Sequence, residues 1–126
     1  MRIEISKHGN NTAILISFDM DCSKFDSNYE RNKFFRGLYG WEQVIRKNNS
    51  VYHYHREGVM NEVPHIKVDN SVFIVAVEEM QRILDYFGEW ENKIHWKTFQ
   101  VLLGPEEVHL LEKQVKSEEA LSENQE

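Results

Sequence analysis

Two acids close the most apolar stretch of the chain. Thr12-Ala13-Ile14-Leu15-Ile16-Ser17-Phe18 runs directly into Asp19-Met20-Asp21. Residues i and i+2 of a strand lean to one side, so Asp19 and Asp21 offer a pair of carboxylates at the end of a well-supported segment. Carboxylate oxygen suits Mg²⁺ or Mn²⁺, cations usually held by only one or two protein carboxylates. The same acids are also readable as loop residues that stop the strand, with Asp26 or Ser27 capping the helix that follows.

His53 and His55 are the second candidates. On one face of a strand an His-x-His pair can chelate a metal, and His8, His65, His95 and His109 are the remaining imidazoles that could complete such a set. A neutral imidazole also serves as acid or base in RNA cleavage. Tyr52, Tyr54 and Arg56 alternate onto the opposite face, where they suit base stacking and phosphate contact. The plainer alternative is a strand with a mixed polar face, partly buried in a dimer. Arg31, Lys33, Arg36, Arg46 and Lys47 are the one basic concentration, interspersed with Glu30 and Glu42; they read as phosphate contacts or as an ordinary solvated face. Trp41, Trp90 and Trp96 read as core or interface residues. Cys22 has no histidine or basic cluster beside it in sequence, which argues against a nucleophile.

The elements that must position these groups follow from periodicity. Residues 12–18 form a continuous β-rich run suited to a central strand. Residues 2–5 read as a short edge strand or a loose terminus, with a turn at His8–Asn11. Ser27 and Glu30 have the spacing of a capping box, and Phe34, Phe35, Leu38 and Tyr39 make one helical stripe that Gly40 ends. This spacing predicts a helix over 28–39. The pattern is β from 42 to 57, with a turn or bulge at Lys47–Asn49. Residues 58–69, with Gly58 and Pro64, read as irregular. Residues 72–77 form a second fully apolar strand, and Met80, Ile83, Leu84 and Phe87 give the clearest helical stripe. Residues 94–103 are again β, Gly104-Pro105 breaks the chain, and 106–116 read as a short helix. Residues 117–126 are too poor in apolar side chains to be expected to order.

The order strand, helix, strand, strand, helix, strand predicts an α+β, ferredoxin-like βαββαβ sandwich. Its four-stranded antiparallel sheet carries two helices on one face and leaves the other open, and because residues 12–18 and 72–77 are apolar at successive positions, a homodimer covering that face is expected. Residues 1–104 form this domain, and 105–126 are a partly disordered acidic extension. The chain has 126 residues, 40% hydrophobic and 29% charged, with a formal net charge of −6. Residues 104–126 carry seven Glu against two Lys, so the body is near neutral and a broad non-specific DNA surface is not expected. No run is long enough for a membrane span, and Met1–Ile5 is too short and charged for a signal peptide. The single cysteine excludes an internal disulfide. The expected setting is a reducing cytoplasm, without membrane contact.

Ile16-Ser17-Phe18-Asp19-Met20-Asp21, the helix Tyr29-Glu30-Arg31-Asn32-Lys33-Phe34-Phe35, and Gly37-Leu38-Tyr39-Gly40-Trp41-Glu42-Gln43-Val44 followed by Ser50-Val51-Tyr52 carry a likeness. Over about residues 13–54 the chain resembles the Cas2 family of CRISPR adaptation proteins and the related VapD ribonucleases. The resemblance implies a homodimer in which Asp19 of each subunit approaches across the interface. It also implies a metal-dependent endonuclease, acting on RNA, with Asp19 and Asp21 as catalytic and metal-holding residues and Mg²⁺ or Mn²⁺ as cofactor. Arg31, Arg36, Arg46 and Lys47 would contact the nucleic acid, RNA or DNA. A second class of function is a non-catalytic dimeric module: a CRISPR adaptation subunit, a viral accessory protein or an inhibitor, its acidic tail seated in a basic groove of a protein partner. A small-ligand sensor is a third, which no particular residue supports.

Overall fold

The computed structural model describes residues 4–5 and 11–124, and the side chains of residues 11–115. A short strand β1 (Glu4–Ile5) lies antiparallel against the start of β2 (Asn11–Met20), Glu4 opposite Thr12. The turn expected at His8–Asn11 falls almost wholly outside the described residues. β2 is the apolar run of the sequence, and it is the central strand. On one side it pairs along its whole length with β7 (Ile94–Leu103), from Asn11↔Leu103 to Met20↔Ile94. On the other side it pairs with β6 (Val72–Val75), which in turn pairs with β5 (His65–Asp69). All these pairings are antiparallel, so the four main strands run β7-β2-β6-β5.

Three expectations are corrected by this topology. The β-patterned stretch at 42–57 is not a strand of this sheet. It folds on itself as β3 (Trp41–Lys47) and β4 (Ser50–Arg56), a separate two-stranded sheet. The strand that follows the first helix in the main sheet is instead β5, inside the segment read as irregular. Alternation alone says that a residue run is extended; it does not say which strand it pairs with. The apolar strand expected over 72–77 stops at Val75, where Ala76 leads into a 3₁₀ turn at Val77–Glu79.

Helix α1 spans Asn28–Tyr39, as its stripe predicts. The Ser27 hydroxyl accepts from the Glu30 backbone N–H at 3.3 Å, and the Gly40 N–H closes the far end on the Arg36 carbonyl at 2.8 Å. Helix α2 spans Met80–Gly88. Phe34 and Leu38 of α1 and Ile83 and Phe87 of α2 join Ile16, Phe18, Phe73, Val75 and Ile94 in the main core cluster. Phe18 is its hub, with ring centroids 5.2 Å from Phe87 and 5.6 Å from Phe34. Each large side chain withdrawn from water here contributes roughly 1.5–3 kcal/mol.

The other side of β2 has its own cluster. Ala13 packs with Leu103 and with Leu111 of α3 (Pro105–Asn124), flanked by Ile66, Ile74, Val101 and Val108. Since neighbouring residues of a strand face opposite sides, α3 covers part of the sheet face expected to be open. Gln114 also seals the sheet edge: its amide accepts from the His65 N–H at 2.9 Å and donates to the His65 carbonyl at 2.7 Å. That occupies backbone groups an edge strand would otherwise offer to another chain. The helix expected over 106–116 runs through Asn124, into the stretch not expected to order, and the side chains of 116–126 lie outside the described residues. Among the described residues no helix is long and apolar enough to cross a membrane.

Candidate nucleic-acid interface

The hairpin β3–β4 is the most exposed element of the chain: every residue of β4 is exposed. Its turn is built by Asn48 and Asn49, with φ of 53° and 64°. Two successive left-handed residues make the type I′ loop whose twist matches paired strands, and asparagine tolerates that conformation. Lys47 therefore faces Ser50, and the register runs on through Ile45↔Tyr52 and Gln43↔Tyr54 to Trp41↔Arg56. The foot of the arm is fixed to the body by two glycines. Gly40 has φ 80°, and a Cβ there would lie 2.6 Å from the Arg56 carbonyl oxygen. At Gly58 a Cβ would collide with the Gly40 nitrogen, and the Gly58 N–H donates to Asn61 Oδ1 at 2.7 Å.

This register sorts the side chains. One face carries Trp41, Gln43, Ile45, Lys47, Tyr52, Tyr54 and Arg56; the other carries Glu42, Val44, Arg46, Val51, His53 and His55. Tyr52 and Tyr54 are 46% and 44% exposed. Arg56 is held on this face, its Nε donating to Gln43 Oε1 at 2.8 Å and its guanidinium 5.5 Å from the Tyr54 ring centre. Arg36, from the last turn of α1, sits 4.3 Å over the Trp41 ring. Aromatic rings thus alternate with guanidinium groups from the arm to the helix. Three of the four formally charged residues in 41–56 are cationic, in a chain whose net charge is −6.

His53 and His55 do share a face, but each is engaged by an acid. His53 Nδ1 lies 2.5 Å from Glu42 Oε1, and His55 Nε2 lies 3.3 Å from Glu57 Oε1. The four basic residues singled out from the sequence do not form one patch. Arg31 lies at the start of α1 with its guanidinium 3.8 Å from Cys22 Sγ, a neighbour that sequence distance concealed. Arg36 covers Trp41, and Arg46 and Lys47 occupy opposite faces of the hairpin tip.

Asp19 and Asp21 sit at the end of β2 as expected, yet their environments differ. Asp19 is exposed and lies directly opposite His95 of β7. Asp21 caps the 3₁₀ turn at Cys22–Lys24: its Oδ1 accepts from the Ser23 hydroxyl at 2.6 Å and from the Ser23 N–H at 3.3 Å, and Lys24 Nζ lies 3.8 Å away. The Ser23 hydroxyl holds the Asp21 carboxyl below the usual carboxylate range, helped by the nearby charges of Lys24 and His95. Among the described residues no three His, Cys, Asp or Glu side chains come together as a cation site.

A groove of about 380 Å³ opens at the foot of the hairpin, between α1 and the end of α2. Tyr29, Lys33 and Arg36 line it from one stripe of α1, and Trp41, Glu57, Glu89 and Trp90 complete it. Tyr29 and Trp90 were not singled out as functional by the sequence; the 29, 33, 36 spacing on a helix was the available signal. No family model, curated protein or solved structure matches the chain.

Proposed function

We propose that this protein is a nucleic-acid-binding module that uses the β3–β4 hairpin as its contact arm. What supports the reading is one observation: an arm exposed along β4, cationic in an acidic chain, with tyrosines interleaved with arginine and lysine. Cations neutralise phosphate, and exposed rings stack on bases. We read the body that carries the arm as a ferredoxin-like unit. With the hairpin set aside, β2, α1, β5, β6, α2 and β7 follow the strand-helix-strand-strand-helix-strand order.

Fluorescence anisotropy with labelled oligonucleotides tests the arm. Arg46→Gln/Lys47→Gln is expected to weaken binding about tenfold at moderate salt and to flatten the dependence of affinity on salt. Unchanged affinity and salt slope in that variant would remove the arm from the interface.

A metal-dependent endonuclease of the Cas2/VapD type, acting on RNA, is the second reading, and the exposed Asp19 at the end of the central strand favours it. It requires a homodimer, in which the Asp19 carboxylates of the two subunits would approach each other across the interface. Incubation of the protein with RNA and DNA, with Mg²⁺ or Mn²⁺ and with EDTA, beside Asp19→Ala, separates the readings. Cation-dependent cleavage lost in Asp19→Ala supports the enzyme; binding without cleavage supports the module.

A further inference from the structure

We propose that the groove at the foot of the hairpin holds one unpaired base bearing an exocyclic amine, so that the ligand of the arm is a single strand; this rests on the nucleic-acid reading above. Three observations carry it. The first is continuity. Trp41 shares the hairpin face of Tyr52, Tyr54 and Arg56 and also lines the groove. A strand lying along the arm is thereby led to Lys33 and Tyr29, which is 73% exposed.

The second is the kind of surface offered. Successive rings alternating with cations suit bases whose faces are free, as in single strands. A duplex buries those faces and presents only phosphates and groove edges to such a track. The groove, at about 380 Å³, falls within the range of small-ligand sites.

The third is the charge inside it. Lys33 and Arg36 line the groove together with Glu57 and Glu89. The two cations and two carboxylates balance, so the groove has no net positive charge to draw in a phosphate, while the carboxylates accept hydrogen bonds from a base amine, as Asp and Glu do from the N4 of cytosine. Phosphates therefore stay with Lys47 and Arg56 on the arm while the base enters. Uracil presents a carbonyl where cytosine presents its amine, so it forfeits the hydrogen bond to the carboxylates.

Anisotropy with the full chain reads this out, using labelled oligocytidylate, oligouridylate and a C·G duplex of equal length, in ribo and deoxyribo forms. Oligocytidylate is expected to bind about tenfold more tightly than oligouridylate, the low end of what a matched base contact provides. It is also expected to bind more tightly than the duplex, in whichever sugar form binds. Glu57→Gln/Glu89→Gln should bring the cytidylate-to-uridylate ratio close to one, because an amide both donates and accepts. Tyr29→Ala should weaken single-strand binding by about tenfold and leave duplex binding unchanged. Equal affinity for the two homopolymers, or a duplex bound as tightly as the single strand, overturns the groove while the Arg46/Lys47 dependence still upholds the arm. Absence of binding to every oligonucleotide overturns both.

Discussion

Two phenols tie the body together. Tyr86 donates its hydroxyl proton to the Phe34 carbonyl at 2.7 Å, joining α2 to α1, and Tyr39 donates to the Asn70 carbonyl, joining α1 to the β5–β6 turn. Burial pushes both phenols from about 10 up to about 12. Above pH 10 the unfolded chain releases these protons and the folded chain keeps them, so the stabilising contribution is intact below pH 10 and is lost as pH rises towards 12. Urea unfolding is expected to give a falling midpoint across that window, and a shallower fall in Tyr39→Phe/Tyr86→Phe; equal slopes would show that other groups govern the alkaline limb. Gly40 is a second residue whose identity is dictated locally. Its φ of 80° and the approach of the Arg56 carbonyl leave no room for a Cβ, so Gly40→Ala should cost about 1–3 kcal/mol, measured as a lowered urea midpoint.

As an element, the hairpin owes little to the core: among the buried hydrophobic residues none comes from 41–56. Replacing residues 45–52 by Asn-Gly, which restores a two-residue loop between Val44 and His53, should leave the thermal midpoint within a few degrees and abolish oligonucleotide binding. A lost cooperative transition would mean that the arm is structural. The same independence explains why its placement was not legible in the sequence. Residues 42–57 alternate, and a turn at Lys47–Asn49 was readable, but nothing local distinguishes a strand of the main sheet from one that pairs only with its neighbour. β5 was missed for the complementary reason. His65, Lys67 and Asp69 give it a polar pattern, Pro64 precedes it, and its register shifts between Lys67 and Asp69; it is extended because β6 and Gln114 bind it, a long-range cause. The elements with dense apolar stripes, β2, α1 and α2, were legible because their burial is encoded residue by residue, whereas β7, largely exposed, was legible from the alternation of Phe99, Val101 and Leu103. At the candidate site the aromatic and basic composition of Tyr52, Tyr54 and Arg56 was legible, whereas the groove required the packing of α1 against the hairpin foot.

Across the whole molecule, α3 changes the argument for self-association. Apolar strands such as β2 need both faces covered, and α3 supplies part of that cover within one chain through Leu111 and Val108. What it leaves is a smaller strip: Leu15 opposite Phe99, Ser17 opposite Lys97 and Asp19 opposite His95. Phe99 is 52% exposed there. Facing a second copy about a two-fold axis, such a strip can place Phe99 against Phe99 and an acidic end against a lysine, the self-complementarity that an isologous interface needs. Light scattering at micromolar concentration is therefore expected to give twice the 15.0 kDa of the chain, and Phe99→Asp is expected to give the single-chain mass with an unchanged circular dichroism spectrum. A wild-type monomer would remove the endonuclease reading, because Asp19 would then lack the partner's Asp19. It would leave the arm and its groove intact, since both are built from residues of one chain.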